Sequence, residues 1–80
     1  MNKNEQERQR IGQRIADIRK RRGMTQTELA ERAGLQAPHI ARIEKGRYSV
    51  GLDTLAAIAH GLGCTIEIIE TNSQLNEQEL

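Results

Sequence analysis

Hydrophobic residues recur at three- and four-residue steps along most of the chain, which is the spacing of one helical face. Ile11, Ile15 and Ile18 form the first such stripe, and it predicts a helix that starts near Arg8. Gly23 follows a basic last turn and supplies the C-terminal stop. The residues before this stripe, 1–7, are polar and are expected to form a frayed N-terminal arm.

The second helix is marked by its starting residues. Thr25 and Glu28 have the spacing of a capping box, in which each residue accepts a hydrogen bond from the backbone N–H of the other. Met24 before the cap and Leu29 after it have the spacing of a hydrophobic staple. A helix is therefore predicted to begin here and to stop at Gly34.

A third helix is predicted only one turn later, opening at Gln36. Pro38 is tolerated there because the first turn of a helix has N–H groups without intrahelical partners. Ile40 and Ile43 form its buried stripe, and Gly46 ends it.

A fourth helix is expected after a short loop, with Gly51 as its N-cap and Asp53 near the positive end of the helix dipole. Gly61 and Gly63 mark its end. Its apolar stripe consists of Leu52, Leu55, Ile58, Ala59 and Leu62.

The period changes after this helix, where residues 64–70 read CTIEIIE and alternate β-branched with charged residues. This pattern predicts a β-strand over residues 64–71, followed by a polar, disordered tail over 72–80. No other segment of the chain has a strand pattern, so the backbone groups of this strand need a second molecule. Pairing with a second copy would bury Ile66, Ile68 and Ile69 against the fourth helix and create a homodimer. A strand left open for a different protein is the competing interpretation.

Composition narrows the class of protein. Eighty residues with a single tyrosine and no Trp or Phe make one small domain whose aliphatic core gives marginal stability. The lone cysteine, Cys64, cannot form an intramolecular disulfide and fits a reducing compartment. The chain has no signal-peptide pattern and no long apolar run, so we expect a cytoplasmic protein.

The net charge of +1 hides a strong asymmetry along the chain. Residues 1–47 contain all twelve Lys and Arg residues against six acids, whereas residues 48–80 contain five acids and no base. A basic front half favours a polyanionic partner, although solvated charged faces alone could give the same pattern. Two interpretations also apply to Lys20, Arg21 and Arg22. These cations could form a phosphate-binding patch, or they could be placed favourably at a helix C-terminus.

The second and third helices, separated by Gly34 and a tight turn, are typical of a helix-turn-helix. The stretch MTQTELAERAGLQAPHIARIEKG, followed by LDTLAAIAHGLG, resembles the Cro/cI-type helix-turn-helix domain of the XRE family of bacterial and phage repressors. The resemblance covers residues 11–63. It implies a mainly α, four- to five-helix, lambda-repressor-like domain over residues 8–63, here with the C-terminal strand added.

The resemblance also implies roles for individual residues. Gln26 falls on a position that contacts a DNA phosphate, and Lys45 and Arg47 match a loop that contacts the DNA backbone. Arg19 and Glu44 match a structural ion pair. The positions that face the bases are Gln36, Ala37, His39 and Arg42.

The chemistry of these side chains is compatible with those roles. The guanidinium of Arg42 can bind guanine O6 and N7 together, and Ala37 can touch a thymine methyl group. Gln36 replaces the usual Ser or Thr cap with an amide that can read adenine. Pro38 occupies a position that often carries a polar base reader, so part of the specificity is expected to come from DNA shape.

Other chemistries find little support in the sequence. His39 and His60 are far apart without a cysteine or carboxylate at ligand spacing, so no metal or other cofactor is expected. Cys64 fits a small apolar residue better than a reactive thiol. There is no nucleophile elbow, phosphate-binding loop or paired-carboxylate motif, so an enzyme is not expected.

The sequence therefore predicts a sequence-specific transcriptional regulator, a repressor that binds a near-palindromic operator in double-stranded DNA as a homodimer. The alternative is an antitoxin that binds a toxin protein and autoregulates its operon, since HipB-like antitoxins also combine this domain with a short C-terminal strand. A third interpretation is an interaction module that has lost DNA binding.

Overall fold

The first helix begins earlier than its hydrophobic stripe indicates. The computed structural model describes residues 2–71, and in it α1 spans Lys3–Arg21. Asn2 caps this helix, its side chain accepting a hydrogen bond from the Glu5 N–H at 2.8 Å. Residues 3–7, predicted to be a frayed arm, are thus the first turns of α1. A cap and side-chain pairing add helical stability here without any buried face.

The next two helices form where the capping signals place them. α2 spans Gln26–Ala33, and both hydrogen bonds of the predicted capping box between Thr25 and Glu28 are present. Gly34 ends α2 in the left-handed conformation, and the chain resumes in α3, Ala37–Glu44. Gln36 is the N-cap residue of α3, but its side chain makes no hydrogen bond to the backbone of the helix. With Gln in place of the usual Ser or Thr, α3 therefore has no side-chain capping bond.

The fourth helix, α4, spans Leu52–Gly61 and closes the core. α2 packs against both α3 and α4, and α1 packs against α3. The most deeply buried side chains are Leu29, Ile40 and Ile58, one from each of α2, α3 and α4. Leu52 was predicted to join the apolar stripe of α4, but 70% of its surface is exposed.

The predicted C-terminal strand is absent from the described chain. Residues 64–71 belong to no helix or strand, and the fold class is therefore four helices without a sheet over residues 2–71. The physical reason is that no second strand lies among these residues to donate and accept the hydrogen bonds of a sheet. Ile68 and Ile69 are left 97% and 76% exposed, while Ile66 is 39% exposed beside α1 and α4. Residues 72–80, predicted to be a disordered tail, lie outside the described residues.

None of the helices over residues 2–71 combines the length and apolar character needed to cross a bilayer.

Candidate nucleic-acid interface

The outer face of α3 carries the residues predicted to read bases. Gln36, Pro38 and Arg42 are exposed to solvent on this short helix. Ala37 is different, because it is partly buried and packs against the core, which reduces the surface it can offer to a thymine methyl group. The exposed polar groups of α3 are thus concentrated at its start, in Gln36, and at its last turn, in Arg42.

His39 and Arg42 share an aromatic neighbour, Tyr48, which lies in the loop that follows α3. The rings of His39 and Tyr48 meet edge to face, with centroids 4.8 Å apart and planes at 84°. The guanidinium carbon of Arg42 lies 6.0 Å from the centre of the Tyr48 ring, at the outer limit of a cation–π contact. His39 Nε2 is buried and has no hydrogen-bond partner among the described residues, so this nitrogen could meet DNA only if the ring turned.

Gln26, at the first position of α2, is held by a buried ion pair. Arg19 Nε donates to Glu44 Oε2 at 2.7 Å, and Arg19 Nη2 donates to Glu44 Oε1 at 3.0 Å. The ion pair between these residues is therefore bidentate. Gln26 Nε2 donates to the same Oε1 at 3.0 Å. The hydrogen bonds to Glu44 raise the pKa of Arg19 above its ordinary value, and this guanidinium stays charged. The network joins the C-terminus of α3 to the N-terminus of α2.

Two basic residues, Lys45 and Arg47, follow α3; their side chains are exposed, and their backbone N–H groups are hydrogen-bonded to carbonyls of α3. Lys45 caps α3, and the Arg47 N–H donates to the Arg42 carbonyl at 3.2 Å, which closes the end of the helix. Both side chains extend into solvent. Lys45 and Arg47 therefore extend the polar surface that begins on α3.

The basic run at the end of α1 lies elsewhere. Arg21 and Arg22 line a concavity together with Cys64, at the start of the C-terminal segment. These arginines are in the last turn and cap of α1, where cations are stabilised by the helix dipole. Over residues 2–71, no three His, Cys, Asp or Glu side chains are grouped so that they could hold a metal ion.

The arrangement of α2, turn and exposed α3 matches a known family. The family model described as helix-turn-helix, HTH_3, matches residues 15–69. The chain belongs to the XRE helix-turn-helix family. Its relatives include the immunity repressor protein of Bacillus phage phi105, which is 44% identical over 69 residues. That match covers 86% of this chain and 48% of the repressor, so this XRE chain spans about half the length of that relative.

Two proteins whose solved structures have a similar fold are named as a controller protein and a gene regulator. The restriction-modification controller protein C.AhdI from Aeromonas hydrophila superposes with a TM-score of 0.75 at 25% identity, over 79% of this chain and 91% of that one. The clp gene regulator ClgR from Corynebacterium glutamicum gives a TM-score of 0.70 at 31% identity, over 72% and 62% of the two chains. The XRE chain thus shares its four-helix architecture with proteins named as regulators.

Sequence reasoning missed two contacts of this surface. The hydrogen bond from Gln26 to Glu44 joins residues that were assigned separate roles, one at a phosphate and one in an ion pair. The contacts of Tyr48 with His39 and Arg42 were not anticipated either. One signal was available for Tyr48, because the chain has no other aromatic residue of the Phe, Tyr or Trp type.

Proposed function

We propose that this chain is a DNA-binding transcriptional regulator that places α3 in the major groove. The observation that carries the proposal is the α2–turn–α3 unit, which belongs to the helix-turn-helix family and leaves the side chains of Gln36 and Arg42 open to solvent. All twelve Lys and Arg residues of the chain lie in its first 47 positions, which include this unit.

In this proposal the base edges are read by Gln36, His39 and Arg42, with a smaller part for the half-buried Ala37. Arg42 is the main reader, since it is exposed and a guanidinium can pair with guanine at two points. Pro38 is exposed on the same helix and has no hydrogen-bonding side chain, so few positions of the site would be read directly.

The phosphates are contacted by Gln26, Lys45 and Arg47. The Gln26 amide nitrogen has two hydrogens, one of which is used by Glu44, and the second remains for a phosphate oxygen. The N-terminal backbone amides of α2 add donors at the same place. Contacts of this kind fix the protein on the duplex without selecting its sequence.

Binding to DNA tests this function most directly. A pool of random duplexes is selected with the full chain, and the best sequence is compared with an unselected duplex over a range of salt concentrations. We expect preference for the selected sequence and an affinity that falls steeply with salt for both duplexes. An affinity that does not change with salt would contradict the proposal and favour a module that has lost DNA binding.

We further propose that the regulator acts as a homodimer through residues 64–71. Exposed Ile68 and Ile69, with exposed Leu52 at the start of α4, leave large apolar side chains in water, which a partner would remove. Two copies pairing these segments as antiparallel strands would satisfy their backbone groups and set two copies of α3 about one DNA turn, roughly 34 Å, apart.

The dimer is tested on the full chain by sedimentation equilibrium. Replacing Ile68 with Asp should convert a dimer to a monomer, because a charge would be buried in the pairing. Replacing the exposed Glu67 with Gln is the control and should preserve the dimer. A wild-type chain that is monomeric at high concentration would contradict the homodimer and leave these isoleucines for another protein, such as the toxin of a toxin–antitoxin pair.

A further inference from the structure

The loop after α3 is fixed at its start by two backbone hydrogen bonds. The Gly46 N–H donates to the Ile43 carbonyl at 3.0 Å, and the Arg47 N–H reaches back to Arg42 at 3.2 Å. Gly46 has a φ of 73° and reverses the chain direction, as in a Schellman closure. Tyr48 lies two residues beyond Gly46 and contacts His39 and Arg42 of α3.

The first helix, α1, also contacts the start of this loop, at Gly46. A Cβ atom built on Gly46 would lie 2.6 Å from Gln9 Cγ and 2.8 Å from Gln9 Cα, so α1 passes against the backbone of this turn. The turn at Gly46 is therefore packed directly against α1.

The Tyr48 side chain contacts two polar side chains of α3, His39 and Arg42. Its ring meets the His39 ring at 4.8 Å and lies 6.0 Å from the Arg42 guanidinium carbon. Tyr48 is 44% exposed, and it also lines a concavity with Ile11, Ile43 and Leu55. The same ring contacts His39 and Arg42.

We propose that Tyr48 is a positioning residue that orients Arg42 for base recognition, and so determines sequence preference. This inference rests on the proposed DNA binding. A free arginine side chain samples many rotamers, and restricting it before binding reduces the entropy lost when the guanidinium pairs with a base. Tyr48 restricts Arg42 through its ring face and confines the His39 ring through the edge contact.

The first test compares affinities for the selected duplex and an unselected one. Tyr48→Ala should lower the affinity for the selected sequence about three- to tenfold, as expected for a lost cation–π contact and lost side-chain order. Affinity for the unselected duplex should change less than twofold. Tyr48→Phe keeps the ring and should behave as the wild type, and Ser49→Ala, at the next exposed position, is the matched control.

A double-mutant cycle separates positioning from a direct contact of Tyr48 with DNA. If Tyr48 acts through Arg42, removing it from an Arg42→Ala protein should cost much less preference than removing it from the wild type. Equal losses in both backgrounds would overturn the inference, and so would a loss in Tyr48→Phe, which indicates a contact by the hydroxyl. A wild type without sequence preference would contradict the proposed function itself. A wild type with sequence preference that Tyr48→Ala does not reduce would contradict only the positioning role of Tyr48.

The second test needs no DNA and stands if DNA binding fails. In the free protein, the ring current of Tyr48 should shift the Arg42 Hε and the His39 ring protons in nuclear magnetic resonance spectra. Tyr48→Leu should remove these shifts, whereas Tyr48→Phe should retain them, and both variants should keep the helical circular dichroism of the wild type. Unchanged Arg42 and His39 resonances in a folded Tyr48→Leu protein would overturn the positioning role.

Discussion

Gln26 Nε2 donates a hydrogen bond to Glu44 Oε1 at 3.0 Å, so the first residue of α2 is joined to the last residue of α3. A carboxylate only accepts hydrogen bonds, and the amide nitrogen of Gln26 must therefore face Glu44. Glu44 is itself held by Arg19, whose side chain is 10% exposed. The orientation of a surface glutamine is thus set by a buried ion pair.

Replacing Glu44 with Ala should reduce the free energy of unfolding by about 3 kcal/mol, because the Arg19 guanidinium would remain buried without its counterion. The loss is expected near the lower end of the usual range, since Arg19 Nη1 keeps its hydrogen bond to the Met24 carbonyl at 2.9 Å. Urea denaturation followed by circular dichroism measures it. Glu31→Ala, which removes an exposed carboxylate from α2, is the control. A loss below 1 kcal/mol for Glu44→Ala would contradict this role of the pair.

The contrast between these residues and the C-terminus shows what the sequence could predict. The capping box at Thr25 and Glu28 and the stop at Gly34 depend on local backbone chemistry, so their spacing was sufficient to locate α2. The strand predicted from the alternation at residues 64–71 depends on a partner, and alternation alone does not supply one.

The candidate site divides in the same way. The family resemblance implies that Arg42 faces outward on α3, and its side chain is exposed in the structure. The neighbours of that side chain depend on how the following loop folds back, and no local pattern gives that path. The contacts of Tyr48 and the bond from Gln26 to Glu44 both join different elements, and both required the tertiary structure.

Gly12 should be intolerant of any side chain. A Cβ atom at this position would lie 2.3 Å from the Ile43 carbonyl oxygen and 2.8 Å from that of Glu44, so α1 and α3 touch backbone to backbone. Gly12→Ala should cost about 1 to 3 kcal/mol of stability because the helices must separate. Gly51→Ala is the matched control, since a Cβ there meets nothing within 4 Å and the φ of −75° is open to any residue. Similar unfolding midpoints for the two variants in urea would contradict a close α1–α3 contact.

Stability should fall in acid partly through Glu28. Hydrogen bonds from the backbone and side chain of Thr25 lower the pKa of Glu28 below its ordinary value of 4.5. A carboxyl group whose pKa is lower in the folded state stabilises the fold above its unfolded pKa. That contribution is lost as the pH falls below 4.5 and through the folded value.

Glu28→Gln should therefore show a smaller decrease in the free energy of unfolding than the wild type when the pH is lowered from neutral into this acidic range. Urea titrations at several pH values measure the two profiles. Glu31→Gln removes a carboxylate from the same helix without touching the capping box, and its profile should stay closer to that of the wild type. Parallel profiles for Glu28→Gln and the wild type would show that the cap does not depend on charge.

Arg42 and Arg47 should separate base recognition from phosphate binding, since both are exposed arginines only five residues apart. Arg42→Ala should reduce discrimination by about 1 to 3 kcal/mol at one base-pair position, because a guanidinium that pairs with guanine selects that base. Arg47→Ala should weaken binding by a similar factor on every duplex and should reduce the slope of log affinity against log salt by about 1. The measurement is a set of binding isotherms on the selected duplex and its single-base variants at several salt concentrations. If Arg47→Ala altered the preferred base, or Arg42→Ala weakened all duplexes equally, the assignment of these two arginines would have to be exchanged.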